Sequence, residues 1–202
     1  CYTQGKVSIC GSNNSLKSHY GGLTGYNYGT VIHCKTNVEL IASASRARCF
    51  GGLIGSNMGT IKESCSAGYF NISGKENGYF GGLVGSCGYD SKIYDAYCRV
   101  DMNINSEKCY AFAGFTGRQA YRTRIERAYC SGEMNLGSTP SITNLGGFCG
   151  YNGHHELGNA AIKNCFWDIE KSGISQDIGV NYSGGASPVG LTTEQMLDMT
   201  TY

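Results

Sequence analysis

The stretch GGLIGSNMGTIKESCSAG at residues 51–68 decides the fold, because its opening block recurs through the chain. The related blocks are GGLTG at 21–25, GGLIG at 51–55, GGLVG at 81–85, AGFTG at 113–117 and GGFCG at 146–150. They begin 30, 30, 32 and 33 residues apart. Self-similarity at such a period is typical of solenoids, in which no unit buries its apolar face alone. The chain is therefore predicted to be a stack of similar units.

Each copy continues with an aliphatic residue and then a cysteine. The aliphatic residues are Val31, Ile61, Ile93, Ile125 and Ile162. The cysteines are Cys34, Cys65, Cys98, Cys130 and Cys165, and Cys1 takes the same place in a partial leading copy. If equivalent positions stack, these six residues form one buried ladder of thiols, where a thiol acts as a small apolar group.

The residues after each cysteine alternate between apolar and polar. Val100, Met102 and Ile104 follow Cys98 at every second position, with polar residues between them. This period of two predicts a half-buried strand with the cysteine on its buried face. After Cys65 the apolar phase changes between Tyr69 and Phe70, which predicts a β-bulge there.

Composition agrees with an all-β chain. The 202 residues include 31 glycines and 15 tyrosines, and 15% are charged. Glycine weakens helices and tyrosine favours strands, whereas disorder requires higher net charge. The formal net charge of +1 gives no reason to expect a nucleic-acid partner. No apolar run is long enough to span a membrane, and both ends are interpreted as cuts made in a longer protein.

These observations predict an all-β, right-handed parallel β-helix of five to six rungs. The copies are placed near 1–20 (partial), 21–50, 51–80, 81–112, 113–145 and 146–165, followed by an irregular C-terminal cap at 166–202. Within the cap, LTTEQM at 191–196 predicts a short helix with Thr192 or Thr193 as N-cap and Glu194 in its first turn.

The repeat resembles the GLUG motif, in which G-G-L-x-G is followed by Asn, Gly-Thr, an aliphatic residue and Cys-Tyr/Phe. The segments NCFWDIEKSG at 164–173 and GLTTEQM at 190–196 are similar to the segment that often closes GLUG arrays. Ala113 and Cys87 depart from the pattern. The resemblance implies a bacterial protein at the cell surface or outside the cell, since GLUG repeats occur in adhesin-like chains and beside secreted IgA-type peptidases.

The eleven cysteines allow three interpretations. A reduced internal ladder is favoured, because six of them recur once per copy on the buried face. Bridges between adjacent rungs are the alternative, since neighbouring strands bring Cα atoms near the separation that disulfides require. A metal site is disfavoured because no C-x₂-C spacing occurs. No cofactor is expected.

Three groups of polar or aromatic residues are candidate sites. Arg118, Tyr121, Arg122, Arg124 and Arg127 form a basic patch that could bind an anionic ligand or merely be solvated. Tyr97 and Tyr129 precede cysteines and should face outward, either to stack on sugars or to stack on each other. His154, His155 and Glu156 lie together in a loop, where solvation is favoured over metal binding.

The favoured function is a non-catalytic stalk or adhesin segment that presents loops for attachment to a host glycan or protein. Its other expected partners are further modules of a larger chain and, end to end, other copies of itself. The alternative is a carbohydrate-active β-helix enzyme, a lyase or hydrolase. Such an enzyme requires grouped carboxylates, but the 15 acidic residues are scattered, with only Asp101 and Glu133 at roughly equivalent positions.

Overall fold

The computed structural model describes residues 1–12, 18–45, 48–137, 141–153, 160–184 and 187–198. The strands in these ranges are β1 (Tyr2–Ser12), β2 (His19–Gly21), β3 (Thr24–Asn27), β4 (Thr30–Ile32), β5 (Lys35–Ser45), β6 (Cys49–Gly51), β7 (Ile54–Asn57), β8 (Thr60–Lys62), β9 (Cys65–Gly81), β10 (Val84–Cys87), β11 (Lys92–Ala113), β12 (Thr116–Gln119), β13 (Arg124–Cys130), β14 (Met134–Leu136), β15 (Ser141–Gly146), β16 (Cys149–Asn152), β17 (Ala161–Asp168), β18 (Ile178–Asn181) and β19 (Val189–Leu191). The helices are α1 (Ile169–Ser172) and α2 (Thr193–Leu197). Neither helix is long and apolar enough to cross a membrane.

The strands form two sheets in which all pairs are parallel. The large sheet has 13 strands, and its main path is β1-β5-β9-β11-β13-β17-β19. The small sheet has six strands in the order β3-β7-β10-β12-β16-β18. Each strand pairs with the equivalent strand of the neighbouring repeat, so the chain winds into a parallel β-solenoid of about five turns. The predicted fold class is confirmed.

Equivalent residues stack in the interior, as the repeat requires. The five aliphatic residues that precede the cysteines lie in one register: Val31, Ile61, Ile93, Ile125 and Ile162. Phe50, Phe80 and Phe112 form a second buried column, and the first two rings stack with centroids 4.6 Å apart. Close-packed columns of this kind give the solenoid a continuous apolar core.

An asparagine column lines one corner of the small sheet. Asn27 and Asn57 are in register, and the Asn27 Nδ2 group donates to Asn57 Oδ1 over 2.8 Å. Each side chain also accepts the backbone N–H of the glycine two residues later. Cys87 and Gln119 occupy the next two positions, and the column resumes at Asn152. These amides satisfy buried backbone groups that would otherwise lack partners.

Each turn has two tight corners. The first is the glycine corner, whose second glycine is Gly22, Gly52, Gly82, Gly114 or Gly147. The second is the left-handed corner, two residues after the stacked aliphatic residue. It places one non-glycine residue per turn at a φ of 49–54°: His33, Glu63, Asp95, Arg127 and Asn164. The left-handed region is unfavourable for residues with a Cβ atom, so this corner stores a small strain in each turn.

The predicted β-bulge at Tyr69–Phe70 is wrong. β9 pairs with β5 without interruption from Cys65 opposite Lys35 to Ile72 opposite Ala42. Phe70 and Ile72 are fully buried and Tyr69 is exposed, as regular alternation requires. The apparent change of phase arises because Cys65 itself occupies an outward register.

The C-terminal segment continues the solenoid further than predicted. β17 crosses the expected boundary between residues 165 and 166, and β18 and β19 each add a strand to one of the sheets. Asp168 caps α1 by accepting the backbone N–H groups of Glu170 and Lys171. The helix predicted from LTTEQM is confirmed as α2, with Thr192 as N-cap in a capping box with Gln195.

Candidate ligand-binding surface

The six cysteines expected in one ladder lie in three registers. Because the aliphatic residues stack, the distance from each of them to its cysteine decides where the cysteine lies. Cys34 and Cys165 follow by three positions, and Cys98 and Cys130 follow by five. Cys65 follows by four, in the outward register of Lys35 and Tyr97.

Cys1 is placed beside Cys34, since the backbone N–H of Lys35 donates to the Cys1 carbonyl over 2.8 Å, but its side chain is exposed. The prediction of a single buried ladder is therefore wrong for Cys1, Cys34, Cys65, Cys98, Cys130 and Cys165. Alignment on the cysteines concealed the constant spacing that alignment on the aliphatic residues reveals. Only Cys98 and Cys130 stack directly as two buried members of the expected ladder.

The register of Cys98 and Cys130 supplies hydrogen-bond donors to the glycine corner. In successive turns the donors and carbonyl acceptors are Thr3 to Gly22 (3.1 Å), Thr36 to Gly52 (2.8 Å), Ser66 to Gly82 (2.7 Å), Cys98 to Gly114 (3.1 Å) and Cys130 to Gly147 (3.4 Å). We call this set the donor column. The two thiols thus replace hydroxyls in a structural role, although S–H is the weaker donor.

All eleven cysteines are free thiols, and only Cys1 and Cys10 are exposed. Burial raises the pKa of Cys87 and Cys109 to about 11 and the pKa of Cys49 and Cys165 to about 12. A buried thiol that stays protonated at neutral pH is a poor nucleophile and a poor metal ligand. The described residues contain no group of three or more His, Cys, Asp or Glu side chains that could hold a metal ion. His154, His155 and Glu156 lie outside the described residues.

The predicted basic patch is not one surface. Arg118 lies in β12 of the small sheet, whereas Arg124 and Arg127 lie in β13 of the large sheet. Arg122 pairs with Asp90 over 2.8 Å, Arg124 lies 3.6 Å from Glu126, and Arg127 donates to both carboxylate oxygens of Asp95. Tyr121 packs beside Tyr89 and Arg122. Three of the four arginines are therefore engaged by acidic neighbours, and the single patch is a wrong prediction.

Tyr97 and Tyr129 stack on each other, with ring centroids 5.1 Å apart and planes 5° apart. They line a groove of about 620 Å³ together with Phe166, and the Asp95–Arg127 ion pair forms part of its rim. The expectation of cross-rung stacking is confirmed. Each ring therefore covers one face of the other.

A different aromatic surface follows the seam between the two sheets. We call it the tyrosine strip, and its members are His19, Tyr26, Tyr28, Arg48, Tyr79, Tyr110, Arg118, Tyr151 and Tyr182. Tyr26, Arg118 and Tyr151 belong to one register of the small sheet, with Ser56 and Ser86 between them. Tyr79 and Tyr110 reach the seam from the large sheet, at the ends of β9 and β11.

The rings of the strip contact one another from turn to turn. Their centroids are 5.4 Å apart for Tyr79 and Tyr110, 6.2 Å for Tyr110 and Tyr151, and 5.5 Å for Tyr151 and Tyr182. Their planes meet at 87°, 37° and 54°, so none of these three contacts is a parallel stack. Tyr110 and Tyr182 are 45% and 47% exposed. Aromatic faces therefore remain available to a ligand.

Two guanidinium groups lie on the strip. The Cζ atoms of Arg118 and Arg48 are 5.5 and 5.9 Å from the centre of the Tyr79 ring, within the range of a cation–π contact. Burial, with the neighbouring tyrosines, raises the pKa of Tyr110 and of Tyr151, whereas burial and Arg48 lower the pKa of His19. Among the described residues, no carboxylate pairs with Arg118. The strip is thus aromatic and cationic.

Sequence reasoning missed the strip because its members come from two sheets and from four different places in the repeat. One signal was present: the residue before each asparagine-column position is Tyr26, Ser56, Ser86, Arg118, Tyr151 or Val180, and all of these share a register. No family model, curated protein or solved structure matches the chain.

Proposed function

We propose that this chain is a non-catalytic segment of a surface or extracellular protein, a solenoid rod that attaches to a glycan through its tyrosine strip. The observation that carries the proposal is the series Tyr79, Tyr110, Tyr151 and Tyr182, which supplies one ring from each of four successive turns. The apolar C–H face of a pyranose ring packs well on an exposed aromatic face. The resemblance of the repeat to the GLUG motif supports the cellular location.

The hydrogen bonds that the carboxylates of the solenoid make within the protein favour attachment over hydrolysis or elimination. Glycoside hydrolysis needs two carboxylates free to act on either side of one bond. Asp101 and Glu133 are in adjacent turns, but the Asp101 carboxylate accepts the backbone N–H of Glu133 over 2.9 Å. Asp95 is held by Arg127, and the Asp168 carboxylate caps α1 and accepts the Thr193 hydroxyl. The carboxylates of Asp95, Asp101 and Asp168 therefore stabilise the fold.

Retention on immobilised polysaccharides tests the proposal. The protein is passed over a panel of neutral and acidic polysaccharides, and the bound polymer is then analysed for new reducing ends and for unsaturated uronate ends. We expect retention on at least one polymer with neither product formed. The double substitution Tyr110→Ser with Tyr151→Ser should abolish retention, because it removes one exposed and one partly exposed ring from the middle of the series.

Tyr89→Ser is the matched control, because Tyr89 is 50% exposed and lies outside the strip. It should leave retention unchanged. Release of sugar products would support the enzyme alternative instead, and a failure to retain any polymer would refute the attachment function.

A further inference from the structure

We infer that the ligand of the tyrosine strip is an acidic polysaccharide whose chain runs along the solenoid axis, with a carboxylate or sulfate group on Arg118. This inference rests on the proposed function and adds the charge of the ligand and the direction in which it binds. Three features of the strip carry it.

The first feature is a cation that has no acidic partner among the residues that the structure describes. Arg118 contacts the Tyr79 ring, and no carboxylate of the described residues pairs with it. Arg122 and Arg127, at the opposite side of the turn, each hold an aspartate. A planar guanidinium binds a carboxylate or sulfate through two parallel hydrogen bonds. In the described part of the chain no carboxylate competes for Arg118, which can thus bind an external anion.

The second feature is the orientation of the rings. The Tyr97 and Tyr129 rings are nearly parallel, and each covers one face of the other. Within the strip, the successive contacts from Tyr79 to Tyr182 are inclined by at least 37°. Partly exposed, inclined rings offer separate faces to separate sugar units. A tyrosine hydroxyl at the edge of each face can also exchange hydrogen bonds with sugar hydroxyls.

The third feature is the direction of the strip. Its rings come from successive turns, which advance along the axis by about 4.8 Å each. Centroid separations of 5.4–6.2 Å are comparable with the length of one pyranose unit. A chain of linked sugars can therefore meet several rings at once, whereas a single sugar meets one.

Single-stranded nucleic acid is the other polymer that combines negative charge with planar groups. It carries a charge on every nucleotide and is bound by long cationic tracks. The strip has two arginines, and the whole chain has a net charge of only +1. The strip is not a long cationic track, and its tyrosine hydroxyls can hydrogen-bond with the hydroxyls that a polysaccharide carries on its units.

The test compares acidic polymers with their neutral counterparts. Affinities are measured for polygalacturonate, alginate, hyaluronan, heparin and polysialic acid, for methyl-esterified polygalacturonate and dextran, and for polyuridylate. We expect the tightest binding to an acidic polysaccharide, a loss of affinity as salt is raised, and tighter binding of longer oligomers. Arg118→Gln should weaken this binding at least about tenfold, and Arg118→Lys should weaken it less.

Arg122→Gln is the matched control, because Arg122 is exposed and already paired with Asp90. It should bind like the parent, and unchanged thermal unfolding would show that all variants are folded. Tightest binding to a neutral polymer, or no effect of Arg118→Gln, would overturn the inference and leave the attachment function standing. Tightest binding to polyuridylate would also overturn it. Binding to none of these polymers would refute both.

Discussion

The two tight corners of each turn use opposite solutions to the same problem. At the glycine corner, the second glycine never has a positive φ, yet it is glycine in all five turns. A Cβ atom on Gly82 would lie 2.3 Å from the carbonyl oxygen of Gly114 in the next turn. At the left-handed corner φ is positive in every turn, yet none of the five residues is glycine. The glycine corner is limited by the space available for a side chain, whereas the left-handed corner is limited by the backbone conformation that it requires.

The difference shows which structural requirement a recurring glycine indicates. Close approach of two backbones excludes every side chain, so the requirement is absolute and is visible in the sequence. A left-handed conformation costs a residue with a Cβ atom only about 1–2 kcal/mol, which packing can offset. The sequence therefore does not predict the strained corner, which is occupied by residues as different as His33, Glu63 and Arg127.

Gly82→Ala tests the steric limit and should have the largest effect. The added Cβ would clash with the Gly114 carbonyl and the Cys98 thiol, both within 3 Å, and backbone cannot move aside cheaply. We expect the free energy of unfolding to fall by about 3 kcal/mol or more, measured by urea denaturation.

Gly29→Ala is the control for this substitution. A Cβ atom on Gly29 would meet only Asn27 Oδ1, at 3.9 Å, and the φ of Gly29 is not positive, so the added methyl group has room. The loss should stay below about 1 kcal/mol. Equal losses for the two variants would refute the steric explanation.

Raising the pH should lower the free energy of unfolding, because the Cys130 thiol, which donates to the glycine corner, is held in its protonated form. Burial, with Cys98 close by, holds the pKa of the Cys130 thiol well above its usual value of 9. The folded thiol therefore stays protonated while the unfolded one ionises, so stability is lost as the pH rises above 9. Between pH 8 and pH 10 the parent should lose about 1.4 kcal/mol more than a Cys130→Ser variant, which keeps the donor and does not titrate.

Urea denaturation at the two pH values checks this result. The left-handed corner provides the reference, since Arg127→Gln should leave the pH dependence of stability between these values unchanged. If the parent and the Cys130→Ser variant lost the same stability between these pH values, the raised pKa of the Cys130 thiol would be contradicted.

Ser66→Ala tests whether the donor column supports the glycine corner. Ser66 donates to the Gly82 carbonyl over 2.7 Å, and this oxygen also accepts the backbone N–H of Gly52. Loss of the hydroxyl should cost about 1 kcal/mol, because the carbonyl keeps its second donor. Ser66→Cys should cost less, since Cys98 fills the same register in the next turn. If the two variants unfold at the same urea concentration, the hydrogen bond contributes nothing.

The sequence was sufficient for features that every turn repeats without exception. The glycine blocks and the aliphatic residues stay in register, and they correctly predicted the solenoid and its parallel strands. The closing helix α2 was predicted separately, from the capping residues of LTTEQM. The cysteines misled because their spacing from the aliphatic residue varies between three and five, which moves Cys65 to the outward register. The bulge at Tyr69–Phe70 was a second consequence of the same misalignment.

The tyrosine strip could not be predicted from the periodicity of the sequence. Its residues do not recur at one repeat position: Tyr79 and Tyr110 end long strands, whereas Tyr151 lies in the small sheet and Tyr182 just after it. The seam that unites them depends on how the two sheets meet. Similarly, the four arginines are close in sequence, but a corner sends Arg118 to one sheet and Arg124 to the other.

Glu63→Gly tests the left-handed corner and should have the smallest effect and the opposite sign. Glu63 has a φ of 49°, and its ion pairs with His33 and Lys62 are solvent-exposed. Exposed pairs contribute little, so relief of the strained φ should exceed their loss and the added freedom of the unfolded chain. We expect the free energy of unfolding to rise by about 0.5–1 kcal/mol in urea denaturation. A Glu63→Val variant should move it the other way, because a β-branched residue tolerates this region poorly. If glycine destabilises this corner as alanine destabilises Gly82, then the left-handed corner is also limited by packing, and the contrast between the two corners fails.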